Sequence, residues 1–276
     1  MQSEPTSKRM QGKRVLVTGA GTGIGKGVAL EFAREGADVV IHYSHSAPGA
    51  LDAVEQIKPL GVRVAAIHAD MSLVEDCRRL GREALDFLGG LDVLVNNAGI
   101  TVNTPFEKVT PEQWDKMYFV NVRGQFFLTQ SVLAALEASR GTVLNFSSLH
   151  GLFGKTQHSV YAGTKGAIIA QTRELALELA PKGIRVNGII PGWVRVENQE
   201  QALGEDFDWE GTAQTIPAGS ISTPREMGRL ALFLASEEGR YFVGQNLIYD
   251  GGYAAIFPNT GDWRDGGTIQ FGSQYL

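Results

Sequence analysis

TGAGTGIGKG, residues 18–27, places five glycines and one lysine within ten residues, the density expected of a backbone that must come close to phosphate. Two loop types compete for it. A nucleoside-triphosphate loop, G-x-x-x-x-G-K-[ST], needs a glycine at position 20 and a hydroxyl at position 27; these are Ala20 and Gly27, so that reading fails. A dinucleotide loop needs a buried strand before it and an amphipathic helix after it, so that N–H groups at the helix start can face a pyrophosphate. Both are present. KRVLVT (13–18) is a short β-branched run, and IGKGVALEFAREG (24–36) sets Ile24, Val28 and Phe32 at helical steps, with Ala29 and Ala33 beside them and Gly36 as a stop. Gly19, Gly21, Gly23 and Gly25 depart from strict G-x-G-x-x-G spacing, so the strand-loop-helix setting carries the assignment. A plain glycine turn is the alternative.

At 276 residues the chain can form one large α/β domain with a sizeable core, and no linker-like stretch divides it. The net charge of -5 lacks the basic excess that a nucleic-acid partner requires. Cys77, the single cysteine, has no intrachain partner and belongs to the packing, and no clustered Cys/His set suggests a metal. MQSEPTSKRMQGK at the N-terminus lacks the apolar stretch of a signal peptide, and no run of eighteen apolar residues occurs. A soluble, cytoplasmic protein without membrane or nucleic-acid partners is expected, with residues 1–12 as a flexible arm.

Beyond the first strand and helix the pattern keeps alternating. Strands are predicted at 39–43, 62–69, 91–96, 141–147, 183–190 and 245–249, and helices at 50–60, 73–88, 111–138, 159–180 and 224–235. Such alternation implies right-handed crossovers and a parallel sheet covered on both faces, with ligands at the carboxyl ends of its strands. The polar residues and turn-formers there are Thr18, Ser44, Asp70, Asn96, Asn97, Ser147, Ser148, Pro191 and Gly192. Turn formation alone would account for each of them singly.

Tyr161 and Lys165 stand four residues apart on a predicted helix and so share a face. A free tyrosine titrates near ~10, and nearby positive charge stabilises its phenolate. A phenol tuned in this way can exchange a proton with a substrate oxygen that the Ser148 hydroxyl polarises. An exposed aromatic-cation pair is the alternative for an isolated Tyr-x-x-x-Lys.

Taken together, these motifs resemble the short-chain dehydrogenase/reductase family over residues 13–253. The family's T-G-x-x-x-G-x-G reads TGAGTGIG, its N-N-A-G spans residues 96–99, and its helix asparagine is Asn121 in VNVRG. Its serine is Ser148, thirteen residues before Tyr161 in YAGTK; Pro191-Gly192 and the closing D-G-G complete the order. The resemblance implies a single-domain Rossmann fold, a doubly wound parallel sheet of about seven strands in the order 3-2-1-4-5-6-7. It implies Tyr161 as acid/base, Ser148 as donor to the substrate oxygen, and Lys165 as ribose ligand and phenol tuner. Asn121 would hold a water linking Lys165 to solvent. Cofactor contacts are implied for Gly19, Thr22, Gly23, Ile24 and Gly25, for Tyr43, Ser44, Asp70 and Met71, and for Asn97, Ala98 and Gly99. Tyr161, Lys165, Pro191, Gly192 and Val194 complete that set. Substrate would meet Ser148, His150, Tyr161 and Trp193. Val196 stands where many members carry a threonine for the nicotinamide carboxamide, and Ser220 where an arginine is frequent.

An acidic residue about twenty positions beyond the loop would select NAD by binding the ribose 2′-OH. VVIHYSHSAPGAL (39–51) has none. Hydroxyls of Tyr43, Ser44 and Ser46, with His45, suit a 2′-phosphate, so NADP(H) is favoured over NAD(H), although Thr22 replaces the basic loop residue of some NADP-binding members. Solvated loop positions account for His42 and His45 equally well.

The expected function is NAD(P)-dependent interconversion of a carbonyl and a secondary alcohol on a small molecule, with a sugar, polyol or small ketone favoured. A 3-oxoacyl-thioester reductase, a cofactor-binding regulator, and a dehydratase or epimerase on the same fold are the alternatives. WVRVENQEQALGEDFDWEG (193–211) is expected to form a lid, or else a solvated acidic helix. Residues 254–276 extend past the closing motif with scattered aromatics and are expected at the boundary of a homodimer or homotetramer.

Overall fold

A computed structural model describes residues 8–256. Its centre is one seven-stranded, all-parallel sheet in the order β3-β2-β1-β4-β5-β6-β7. The strands are β1 (Arg14–Val17), β2 (Asp38–Tyr43), β3 (Val64–His68), β4 (Val93–Asn96), β5 (Thr142–Phe146), β6 (Arg185–Pro191) and β7 (Asn246–Tyr249). Each matches a predicted strand to within a few residues. β1 pairs with β2 on one side, Val15 opposite Val39, and with β4 on the other, Val15 opposite Val93. The chain therefore reverses direction across the sheet at β1/β4, and a crevice opens there at the strand ends.

Both faces of the sheet are covered. On one lie α1 (Gly23–Arg34), α2 (Ala47–Ile57) and α10 (Pro224–Ala235), whose Phe32, Ile57 and Met227 pack on Val15, Val17 and Val95. On the other lie α3 (Val74–Leu88), α5 (Gln125–Ser131), α6 (Leu133–Ser139) and α7 (Ser159–Leu179), whose Leu80, Leu128 and Leu136 pack on Leu16, Leu94 and Val143. Val15 and Val17 face one way and Leu16 the other, so the apolar run VLV is what a doubly buried strand requires. Buried Cys77 belongs to the second layer, and its enclosure pushes the thiol up to about 11.

α1 and α10 lie against each other where glycine permits close approach; a Cβ on Gly27 would meet the backbone of Pro224. Beside that contact the buried carboxylate of Glu31 takes Arg225 at 3.2 Å and Arg229 at 3.7 Å, and it also pairs with Arg34. Residues 8–12, expected as a loose arm, dock on the end of α1: Met10 is buried and its N–H donates to the Glu35 carbonyl at 3.0 Å. Among the described residues no helix is long and apolar enough to cross a membrane.

The single helix predicted over 111–138 is broken. After α4 (Pro111–Tyr118) comes a π-helical stretch, Phe119–Gly124, then α5 and α6 with a break at Val132. The wider turn carries buried Asn121, whose side chain accepts from Ile100 N at 2.8 Å and donates to Ile100 O at 2.9 Å. Further on, the Thr129 and Ser131 hydroxyls bond back to the carbonyls of Gln125 and Leu128, which loosens the ladder before Val132.

Gly124 is required by contact rather than by its dihedral angles, because a Cβ there would strike the Met71 carbonyl. Helix propensity alone predicts that Gly124→Ala stabilises by about 1 kcal/mol. Overpacking predicts instead a loss of about 2 kcal/mol. Urea unfolding is expected to show the loss, and a gain would overturn the packing account.

Candidate active site

The crevice at the β1/β4 ends is a cavity of about 820 Å³, within the range of small-ligand sites. Its floor is the glycine loop. Gly19 adopts φ +63°, in the left-handed region, and lies so close to Ala98 that a Cβ would be 2.9 Å from its Cα. Gly25 sits beneath, where a Cβ would strike the Gly19 carbonyl and the Asn97 amide. Gly19, Thr22, Gly23 and Ile24 line the cavity, as do Ser44, Asp70, Met71, Asn97, Ala98 and Gly99. With Tyr161, eleven of the sequence-predicted cofactor residues thus line one cavity. The free N–H groups at the start of α1 can hold an anion, and one is already there: a Glu197 carboxylate oxygen accepts from Gly23 N at 3.0 Å and from the Thr22 hydroxyl at 3.1 Å. That contact tests the loop with a carboxylate in the role of a phosphate, and the loop fits it.

Tyr43, Gly192 and Val194 line neither this crevice nor the smaller cavity beside it. Tyr43 turns its ring onto His68, 5.6 Å between centroids, because the strand's alternation directs it away from the crevice while its neighbour Ser44 faces in. Val194 is buried in the core and bridges to Ser222, so its side chain serves packing. Gly192 donates its N–H to the Tyr249 carbonyl at 3.0 Å, while Pro191 lines a smaller cavity of about 150 Å³ with Gly99, Tyr161 and Lys165.

His42 is buried, which overturns the solvated-loop alternative for it. Gly19 N donates to its Nδ1 at 3.1 Å, so Nε2 carries the hydrogen that bonds the Ala69 carbonyl at 3.1 Å. The imidazole thus splints the glycine loop to the end of β3. Burial, with lesser contributions from neighbouring charge, pushes its pKa to about 4. Asp70, at the same rim, accepts from the Ser72 hydroxyl at 2.7 Å and pairs with Lys116 at 3.3 Å. Partial burial pushes its carboxyl up, but those partners outweigh it and hold the group below the ordinary range.

Asn121 and Lys165 converge behind Gly99: a Cβ there would lie 3.4 Å from Asn121 Oδ1 and 3.5 Å from Lys165 Nζ. Asn121 also donates to the Thr164 hydroxyl at 3.1 Å, one residue before Lys165 on α7. Lys165 Nζ donates to the Phe146 carbonyl at 2.9 Å and stands 5.6 Å from the Tyr161 ring centre; its burial lowers the ammonium pKa to about 8. Enclosure raises the Tyr161 phenol above its ordinary value, against a hydrogen bond with Ser148 that pulls the other way. The expectation that Lys165 lowers the phenol is therefore corrected for the protein alone: desolvation dominates, and the ammonium is bonded to Phe146 instead.

The Ser148 hydroxyl accepts from His150 N at 3.3 Å, and the His150 ring stacks on His158 at 4.4 Å and stands edge-on to Tyr161 at 5.5 Å. Burial first, then the neighbouring His158 and Lys155, lowers the His150 pKa to about 4. Trp193 packs on Phe207 at 6.1 Å, and Phe207 on Trp209 at 4.8 Å. The lid segment thus folds into α8 (Glu197–Leu203) and α9 (Trp209–Gln214), with an aromatic cluster between β6 and α9. Sequence reasoning missed Lys26, Lys116 and Gln201 along the crevice.

Residues 19–254 match the family model described as enoyl-(acyl carrier protein) reductase. The chain is 37% identical over 261 residues to the hydroxynaphthalene reductase-like protein Arp2 of Metarhizium anisopliae, covering 91% of this chain and 98% of that one. The chain is a short-chain dehydrogenase/reductase. A second member of the family, the tetrahydroxynaphthalene reductase of Pyricularia oryzae, is 33% identical over 259 residues, covering 90% and 92% of the two chains. Among solved structures, a short chain dehydrogenase from Burkholderia cenocepacia in complex with NADP superposes with a TM-score of 0.83 at 33% identity, covering 89% of this chain and 99% of that one. As a member of this family the protein is an NAD(P)-dependent oxidoreductase.

His42 makes the loop acid-sensitive. Its pKa is about 4 folded against 6.5 for the free side chain, so between these values the unfolded chain binds more protons. Its contribution is intact above the unfolded value and is lost as pH falls toward the folded one, at about 1.4 kcal/mol per unit. Asn in its place can still accept from Gly19. Denaturant unfolding is expected to show His42→Asn losing about 2 kcal/mol less than wild type between ~pH 7 and ~pH 5. Equal losses would remove His42 from the account.

Proposed function

We propose that the protein interconverts a ketone and a secondary alcohol on a small hydroxylated ring compound, using NADP(H) in preference to NAD(H). The observation that carries this reading is Tyr161 and Lys165 meeting beside Gly99 at the edge of a crevice whose glycine loop already holds a carboxylate. Gly19, Thr22, Gly23 and Ile24 would take the diphosphate, Asp70 and Met71 the adenine side, and Asn97, Gly99, Tyr161 and Lys165 the nicotinamide riboside. Bound there, the nicotinamide supplies or accepts the hydride.

The chain's own residues handle the proton. Enclosure keeps the Tyr161 phenol protonated at neutral pH, which suits donation from Oη to a carbonyl oxygen during reduction. Ser148 donates a hydrogen bond to that oxygen and stabilises the charge developing on it. Lys165 replaces the proton from the side facing Asn121, its lowered pKa making release easier. Carbonyl, hydride and this proton together give the alcohol, and oxidation runs the same steps backward.

NADP(H) is supported at the β2 end, where Ser44, His45 and Ser46 line the crevice with hydroxyls and an imidazole rather than a carboxylate. Lys26 lines it too, held by Asp52 at 2.6 Å. The NADP in the Burkholderia structure supports the same choice. For the substrate, the names of the Metarhizium and Pyricularia relatives favour an aromatic or cyclic hydroxy ketone. A sugar or polyol is the second reading, supported by Asn198 and Gln201 along the crevice. Homodimers or homotetramers in the cytoplasm complete the proposal; most of the extension that would mark the subunit boundary, residues 257–276, lies outside the described residues.

Oxidation of NADPH, followed at its absorbance band with hydroxynaphthalenones, cyclic ketones, keto-sugars and a 3-oxoacyl thioester, tests the substrate class. Turnover of the thioester alone would overturn it. Tyr161→Phe is expected to bind NADPH normally and lose turnover at least about a hundredfold, the low end for losing acid/base assistance. A variant that kept half the rate would exclude Tyr161 as proton carrier. Fluorescence titration is expected to give tighter binding of NADPH than of NADH, and a tenfold preference for NADH would refute the cofactor assignment.

A further inference from the structure

α8 is tied to the rest of the protein by backbone hydrogen bonds just before it and ends on a glycine after it. Before it, the backbone is bridged to the segment leading into α10: Arg195 N donates to Ser222 O at 2.9 Å and Ser222 N to Trp193 O at 3.2 Å. After it, Gly204 takes φ +80° and ψ 173°, a conformation essentially reserved for glycine, and a Cβ there would meet nothing within 4 Å. Between these points the helix has a polar hold on the crevice. Glu197, its first residue, places one carboxylate oxygen on Gly23 N and the Thr22 hydroxyl, and Val196 lies against Gly23. Asn198 and Gln201 of the same helix line the same cavity.

The N–H of Gly23 opens α1, where the helix dipole favours negative charge. A carboxylate there is therefore a competitor for any phosphate that needs the same donor. Burial pushes the Glu197 carboxyl up, but its own backbone N–H, those of Gly23 and Thr22's hydroxyl, and the charge of Lys26 outweigh this and hold it below the ordinary range. It is ionised at neutral pH, as a competitor must be.

We propose that Glu197 is an internal occupant of the diphosphate site, a latch that ties the lid helix to the glycine loop and that an incoming dinucleotide must displace. The inference rests on the dinucleotide reading of the crevice. A diphosphate brings more charge and more acceptor oxygens than one carboxylate, so it wins the site once bound. Displacement frees α8 between the Arg195 bridge and Gly204, so that cofactor arrival and the position of the lid beside Tyr161 become one event. Each molecule in the latched state is unavailable to cofactor, and apparent affinity falls by the competent fraction.

The test compares wild type with Glu197→Gln, Glu197→Asp and Glu200→Gln. Asp keeps the charge but shortens the reach, and Glu200 pairs with Arg195 on the same helix without touching the loop. Latch release is expected to tighten NADPH and NADH about tenfold in Glu197→Gln, as for a latch closed in about nine molecules of ten. Glu197→Asp is expected to tighten both in the same direction, and Glu200→Gln to leave both unchanged. Hydrogen exchange without cofactor is expected to quicken at amides 197–203 in Glu197→Gln, and in wild type when NADPH is added. Wild-type affinity and unaltered exchange in Glu197→Gln would overturn the latch. Tightening in both Gln variants with none in Glu197→Asp would also overturn it, because charge alone would then explain the effect. Should wild type bind neither dinucleotide, the cofactor reading fails and the latch as a competitor fails with it, while the exchange comparison still reports whether Glu197 holds the lid.

Discussion

The Thr18 hydroxyl holds together the two strand ends between which the functional residues lie. It donates to the Val95 carbonyl at 3.2 Å and accepts the N–H groups of Asn97 and Ala98, each at 3.0 Å. The Asn97 amide returns the bond, donating to the carbonyls of Thr18 at 2.9 Å and Gly19 at 3.1 Å. At the reversal of a parallel sheet neighbouring strands diverge, and backbone groups that would have paired within the sheet need other partners. This knot supplies them. It also fixes Gly19 against Ala98, which sets the floor of the crevice and the point from which α1 departs.

A second polar chain runs through the apolar layer below. Asn96 donates to Asn145 at 2.9 Å and to Thr129 at 3.1 Å, and Asn145 donates to Thr172 at 3.0 Å, all of them buried. Because buried donors are costly to leave unpaired, these contacts define where α5 and α7 sit on the sheet more sharply than apolar packing does. α7 carries Tyr161 and Lys165, so the position of the proton-handling pair is fixed from beneath by asparagines of β4 and β5. Ser147 adds a further tie, donating to the Lys165 carbonyl at 2.8 Å.

The strands were legible because each is a short, largely apolar run between helical segments, and their order came from the family resemblance. The helix over 111–138 was only partly so: Asn121 and Gly124 were visible as poor helix formers, but the π-helical turn answers to Ile100 and Met71, partners distant in sequence. At the site, residues fixed by spacing along one helix, such as Tyr161 and Lys165, were readable. At the end of β2 the sequence does not reveal that the Tyr43 ring packs on His68. Val194 looked like a strand-end contact, whereas burial claims its side chain. His42 and Glu197 act through a loop far away in the chain, and no local pattern marks such a contact.

The packing of α10 on α1 has a bearing on how the protein is made. α1 leaves the ribosome well before α10, yet its close neighbour at Gly27 and two of the arginines on Glu31 come from residues 224–229. β4, the other wall of the crevice, is also still absent when α1 emerges. Until α10 has been synthesised, α1 lacks its cover at Gly27, and Glu31 has only Arg34 of its own helix as an ion-pair partner. Folding that runs ahead of synthesis can build a partial sheet but not a finished nucleotide site. Chains ending before α10 would be expected to persist as insoluble material rather than as weakened enzyme.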